Sequence, residues 1–204
     1  MVIKRVARGR QERMLRIIAG RWRGRKFRFP QADIRPTPDR VRETLFNWLQ
    51  HRIHGAHCLD LYAGSGALGL EALSRGAASV VFVERQRTVA DALRALLSEW
   101  QASGARVLCA EARQYLNAIP GGERFDLVFL DPPFAAGSAG ELSAAISLLQ
   151  AGWLASDARL YVEHAKSDPL LPLDTAWREL RAGTAGEVRY HLLAPTSEGT
   201  VTTP

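Results

Sequence analysis

Cysteine is scarce in this chain. Only Cys58 and Cys109 occur in 204 residues, both in apolar, strand-like runs. That placement predicts buried, reduced thiols in a cytosolic protein rather than a disulfide. Long hydrophobic runs are absent as well. None approaches the roughly 20 residues that a helix needs to cross a bilayer. The basic N-terminus leads into no apolar h-region, so it does not read as a secretory signal. Internal repeats are lacking too. Methionine is equally rare, and Met14, the only one after Met1, offers an alternative start. What is present is ordinary for a globular protein: 47% apolar and 24% charged residues. The length suits one well-buried domain with a small appendage.

Charge is the informative quantity. The net value is +6, but residues 1–53 carry +11 and the remainder −5. A basic arm on a mildly acidic domain points to a polyanionic partner. Nucleic acid fits better than a membrane surface, because Gly20, Gly24 and Pro30 break any helix that could lie on a bilayer.

Residues 1–13 are polar, basic and aperiodic, which predicts a disordered extension. LRIIAGRWRGRKFRF (15–29) reads as short strands punctuated by Gly20 and Gly24. There Arg21, Arg23, Arg25 and Lys26 interleave with Trp22, Phe27 and Phe29, putting charge on one face and rings on the other. Aromatic rings among cations favour RNA contact. RPTPDRVRETLFNWLQ (35–50) predicts a helix with Thr37 as N-cap, Pro38 in the first turn, and Val41, Leu45, Trp48 and Leu49 on its buried face. Arg35 and Arg40 at its start join the candidate RNA-binding set. The expected organisation is a hairpin and helix over 14–53, a catalytic domain over 54–195 and a flexible tail over 196–204.

From residue 57 the pattern becomes β–α alternation. Strands are expected at 58–63, 79–84, 106–112, 125–131 and 158–165, helices between them, and a closing hairpin around Gly183–Gly186. Near-continuous apolar strands alternating with helices mean a parallel sheet covered on both faces.

After the first of these strands comes Gly64-Ser65-Gly66-Ala67-Leu68-Gly69, a G-x-G-x-x-G loop that opens a helix. The motif admits a dinucleotide. Asp60 in the strand before it and Ser65 inside it suit a zwitterionic amino-acid tail better than a pyrophosphate. Glu84, ending the next strand, can accept both hydroxyls of a ribose. These features turn the reading from NAD toward S-adenosylmethionine.

The run FDLVFLDPPF (125–134) ends a buried strand in Asp131-Pro132-Pro133-Phe134. A base amine is a poor nucleophile because its lone pair is delocalised. Asp131 and the Pro132 carbonyl can each accept one N–H, freeing that lone pair and stabilising the charge that develops. The prolines stiffen the turn and present carbonyls only. Phe134 can stack on the base.

LDLYAGSGALGLEALSRG, VVFVE, DPPF, LRIIAGRWRGRKFRFP and RPTPDRVRETLFNWL resemble the RsmD family of bacterial methyltransferases over roughly residues 15–194. The resemblance implies a Rossmann-like class I α/β fold with seven strands, mostly parallel and closed by an antiparallel hairpin. It implies methyl transfer from S-adenosylmethionine to N2 of a guanine in 16S rRNA (position 966 in the RNA's numbering). By the same resemblance Asp60, Ala63, Gly64, Ser65 and Gly66 hold the methionine part of the cofactor. Glu84 takes the ribose with Arg85 beside it, and Glu111 and Ala112 edge the adenine. Asp131, Pro132, Pro133 and Phe134 hold the guanine. Glu111 departs from the Asp or Asn common in related enzymes. The expected protein is cytoplasmic, monomeric and metal-free, with the small ribosomal subunit as partner. A DNA adenine-N6 methyltransferase, an NAD-binding oxidoreductase and a non-enzymatic RNA-binding assembly factor remain the alternatives. His51, His54 and His57 fall where a helix gives way to a strand and do not read as a metal site. His164 and His191 read as isolated surface or packing residues, and Glu163 carries no assigned role.

Overall fold

A computed structural model describes residues 12–30, 37–118, 120–133, 138–168 and 176–196. The expected disorder of residues 1–11 and the expected tail from residue 197 lie outside the described residues, as do Arg35 and Phe134.

The chain begins with an antiparallel pair, β1 (Glu12–Arg16) and β2 (Lys26–Pro30), so pairing starts inside the segment expected to be unstructured. Helix α1 (Asp39–Trp48) follows. Alternation then runs through β3 (His57–Asp60), α2 (Ala67–Ser74), β4 (Ser79–Glu84), α3 (Arg87–Glu99), β5 (Ala105–Cys109), α4 (Ala112–Leu116), β6 (Phe125–Leu130), α5 (Ser138–Gln150) and β7 (Leu154–Ala165). Strands β8 (Trp177–Ala185) and β9 (Val188–Pro195) close the sheet. Its order is β5-β4-β3-β6-β7-β9-β8. Strands β3 to β7 are parallel to one another, whereas β9 runs antiparallel to both β7 and β8. This is the expected seven-stranded sheet with its closing hairpin.

Side chains alternate across a strand, so each apolar strand feeds two cores. Cys58, Val80, Phe82, Leu127 and Phe129 face one core, with α1, α2, α3 and the N-terminal hairpin. Leu59, Val81, Val83, Val128 and Leu130 face the other, with α4 and α5. Cys58 is buried, but Cys109 is exposed, contrary to expectation. The reason is topological: β5 ends the sheet and is only partly covered.

The N-terminal hairpin is docked by buried polar groups. The Glu71 carboxylate on α2 accepts the Ile18 and Ala19 N–H groups, both at 2.9 Å. It also pairs with Arg75 (2.8 Å) and with Arg42 (3.4 Å), whose side chain is fully buried. Ser74 accepts the Trp22 N–H at 3.0 Å and donates to the Ala19 carbonyl at 2.6 Å. A Cβ on Gly20 would stand 1.9 Å from the Ser74 carbonyl oxygen, so only glycine permits this approach.

Two expectations are corrected here. Trp22 and Phe27, whose place among cations favoured RNA contact, are core residues. Both pack on Trp100, with ring centroids 5.0 and 5.7 Å away. The apolar face of β2 was read correctly, but α3 covers it. Thr37 does not cap α1. Pro38 occupies the N-cap position, and no side chain caps the helix start. The buried Thr37 hydroxyl donates instead to Asp131 Oδ2 at 3.1 Å. On α1 Phe46 and Arg42 are buried, while Trp48 is half-buried against Tyr190.

Candidate active site

An open parallel sheet binds ligands beyond the carboxyl ends of its strands. Here β3, β4, β6 and β7 run into Asp60, Glu84, Asp131 and Glu163 at that end. In register Asp60 faces Phe82 and Phe129, and Phe129 faces Tyr161. By the two-residue period, Glu84, Asp131 and Glu163 therefore share the face of Asp60. Four carboxyl groups line one side of the sheet mouth, beside α2 and the start of α1.

The Gly loop stands at the cofactor half. Asp60 is buried, and Gly69 N–H donates to its Oδ2 at 3.0 Å. Burial, offset in part by that bond and reinforced by the Glu84 charge, pushes the Asp60 carboxyl up to about 7. Gly64 N–H donates to Glu84 Oε2 (2.9 Å) and Gln86 N–H to its Oε1 (2.6 Å). A Cβ on Gly69 would meet the Phe82 ring at 2.2 Å, so glycine alone lets α2 lie this close to β4. Ser65, Ala63 and Ala112 are buried, whereas Arg85 and Glu111 are exposed. Glu111 stands at the start of α4 without making a side-chain cap.

These residues fit S-adenosylmethionine. Each Glu84 oxygen accepts one N–H and keeps a second lone-pair site, enough for a pair of ribose hydroxyls. The second Asp60 oxygen remains for an ammonium group. The exposed Glu111 carboxylate can accept from an adenine amine.

At the acceptor half, Asp131 is half-buried, Pro132 buried and Pro133 exposed. Burial drives the Asp131 carboxyl well above the usual carboxylate range. The Glu163 and Asp60 charges add to the rise, and the Thr37 bond opposes it. Glu163 is buried and accepts the Tyr161 hydroxyl at 2.7 Å. Burial raises it to about 7, against the Tyr161 and Thr37 hydrogen bonds. Sequence reasoning missed Glu163 because its partners lie two residues before it and 126 residues upstream of it (Tyr161 and Thr37). A carboxylate in an otherwise apolar strand was the available signal.

His164 and His191 are packing residues, but they are not isolated. Both are buried, their Nε2 atoms are 2.9 Å apart, and His191 Nδ1 lies 2.6 Å from Glu179. Among the described residues no group of three or more His, Cys, Asp or Glu could hold a metal ion, and no helix is long and apolar enough to cross a membrane. Arg21, Arg23, Arg25, Lys26 and Arg40 are all exposed.

The sheet order, its antiparallel close and the Gly loop beside two carboxylates define a class I methyltransferase that depends on S-adenosylmethionine. Residues 15–194 match the family model described as Conserved hypothetical protein 95. Ribosomal RNA small subunit methyltransferase D of Escherichia coli is 45% identical over 187 residues, covering 91% of this chain and 92% of that protein. The chain belongs to this family of ribosomal RNA small subunit methyltransferase D proteins. Among solved structures, Escherichia coli yhhF superposes with a TM-score of 0.82 at 44% identity, covering 91% of this chain and 99% of its own. The T. thermophilus 16S rRNA N2-guanine methyltransferase RsmC, solved with S-adenosylmethionine and guanosine, gives a TM-score of 0.64 at 25% identity. That match covers 91% of this chain and 50% of RsmC.

Proposed function

We propose that this protein methylates the exocyclic N2 amine of a guanine in 16S rRNA, on an assembled or assembling small ribosomal subunit. The observation that carries the reading is the Asp131-Pro132-Pro133 turn opening from β6, directly beside β3 and its Gly loop. Donor and acceptor halves thus meet across adjacent strands. The E. coli relative's name and the guanosine bound to RsmC support the choice of substrate.

When bound, S-adenosylmethionine supplies a methyl group on a positively charged sulfur. Asp60 and the backbone of Ala63, Gly64, Ser65 and Gly66 hold its methionine part. Glu84 accepts the ribose hydroxyls beside Arg85, and Glu111 and Ala112 edge the adenine. Asp131 and the Pro132 carbonyl each accept one N–H of the guanine amine, with Phe134 on the base. As the amine nitrogen is methylated it would gain positive charge, which Asp131 and the Pro132 carbonyl would stabilise, and its extra proton would pass to Asp131 or to water. Positioning and electrostatics supply the acceleration. Arg21, Arg23, Arg25, Lys26, Arg35 and Arg40 grip phosphates, which carry most of the affinity. The protein acts as a cytoplasmic monomer without a metal ion.

The test offers methyl-labelled S-adenosylmethionine with small ribosomal subunits, naked rRNA and duplex DNA, followed by digestion and identification of the modified base. Label is expected in N2-methylguanine of 16S rRNA, and label in DNA adenine would overturn the reading. Asp131→Ala is expected to lower kcat by about 10²–10³-fold, the usual size of a lost electrostatic contact, with cofactor affinity by calorimetry nearly unchanged. Surviving activity would remove Asp131 from its role.

A further inference from the structure

Two stiff pieces of backbone meet at Asp131. Asp131 precedes Pro132 and Thr37 precedes Pro38, and a proline ring holds the residue before it in extended backbone. Pro38 is itself extended at the N-cap of α1, with φ −57° and ψ 149°. Its carbonyl accepts the Val41 and Arg42 N–H groups at 3.0 and 3.1 Å. The next residue, Asp39, pairs with Arg16 of β1 at 2.8 Å and with the buried Arg42 at 2.6 Å. Thr37 therefore rides on a stem held by both α1 and the hairpin. Its side chain is buried, and β-branching stiffens it further.

Asp131 needs such a partner. Its backbone is restricted, but the torsion that turns a carboxyl group is broad. The Thr37 hydroxyl, 94 positions away in sequence, donates to Oδ2 at 3.1 Å. That bond ties one oxygen, sets the torsion and leaves Oδ1 for an amine N–H. The titratable groups that act with Asp131 are Asp60 from β3 and Glu163 and Tyr161 from β7. None of them is a cation, and both acids disfavour the Asp131 charge. The Thr37 bond acts the other way and favours the ionised carboxyl.

We propose that Thr37 is a positioning residue for methyl transfer: its hydroxyl fixes the rotation of the Asp131 carboxyl, so that the start of α1, and not the sheet alone, completes the acceptor half of the site. This rests on the methyl-transfer reading above. Loss of the hydroxyl has two separable effects. The carboxyl is no longer aimed, which lowers turnover at every pH. Its ionised form, the better acceptor, also loses support, so the rise of kcat with pH moves to higher pH.

The experiment is a pH profile of kcat and KM for wild type, Thr37→Val, Thr37→Ala and Thr37→Ser, with unmethylated small ribosomal subunits and labelled S-adenosylmethionine. Valine keeps the shape and removes the hydroxyl. Alanine does so without a buried methyl group against the acid, so a valine variant that fails to fold does not decide the outcome. Both are expected to lose at least about tenfold in kcat on the alkaline plateau, where ionisation is complete, with KM for the subunit unchanged. Their acid limb is expected to move up by about one pH unit. Thr37→Ser restores the hydroxyl and is expected to recover most of both effects. Full turnover without the hydroxyl, or serine as impaired as alanine, would overturn the proposal. Weaker cofactor binding by calorimetry with kcat unchanged would also overturn it, by assigning Thr37 to the cofactor. Carboxyl-carbon NMR of aspartate-labelled protein, with the Asp131 signal assigned through Asp131→Asn, tests the bond without substrate. The Asp131 titration is expected at higher pH in Thr37→Ala than in wild type. An unmoved titration would overturn the proposal even if the protein methylates guanine.

Discussion

At the scale of single residues, the site holds acids where burial disfavours their charge. Asp60 has one backbone donor and lies among apolar side chains, close to Glu84. Its folded value is raised to about 7 from an unfolded value near 4, so the sign of its effect on stability follows. The contribution is fully present below the unfolded value and is lost as pH rises through the folded one. Asp60→Asn keeps an oxygen for the Gly69 N–H but removes the charge. Between about pH 4 and pH 7 the wild type should therefore fall behind Asp60→Asn by about 4 kcal/mol, and the gap should stay level above that. Denaturant unfolding at a series of pH values checks this. A constant gap would mean that Asp60 titrates in the folded protein as it does in the unfolded chain. The same variant should bind S-adenosylmethionine more weakly, as expected where a strained charge serves a ligand.

At the scale of elements, the hairpin and α2 form one unit through Glu71, Ser74 and Arg42. Removing one member of a buried ion pair leaves the other uncompensated, at a cost of roughly 3–5 kcal/mol. Glu71→Ala should lower the melting temperature and raise amide exchange at Ile18 and Ala19, whose N–H groups lose their acceptor. Exchange unchanged at those two amides would show that Glu71 does not hold the hairpin. This docking was not legible in the sequence, because the bonds of Glu71 and Ser74 to the hairpin join residues more than fifty positions apart. The strands were legible, because parallel strands buried on both faces are continuous apolar runs. Asp60, Glu84 and Asp131 were legible because each ends such a run. Trp22 and Phe27 misled for the opposite reason. Alternation tells which residues share a face, but not whether Trp100 or RNA covers it. Thr37 misled because a local capping rule lost to a distant carboxylate.

At the scale of the whole molecule, the docked hairpin turns a charge asymmetry into a fixed surface. Phe27 of β2 faces inward on Trp100, so the strand's cations face outward. Arg21 lies over the Trp22 ring at 4.0 Å and Arg25 over Trp100 at 4.6 Å, which orients both guanidinium groups without burying them. Arg25 also meets Glu99 at 3.3 Å, but an exposed pair of this kind contributes little to stability. Replacing Arg21, Arg23, Arg25 and Lys26 with glutamine should therefore leave the fold within about 1 kcal/mol of wild type. Each phosphate contact contributes about 0.7–0.9 to the slope of log affinity against log salt, so losing four should flatten that slope by about 3. Affinity for the small subunit should fall most at low salt. Turnover at saturating subunit should persist, since none of the four touches the Asp131 turn. Filter binding across a salt series, beside single-turnover methylation, separates the two effects. An unchanged slope would place the RNA on another face, and lost single-turnover chemistry would mean that the arm positions the guanine as well as gripping the RNA.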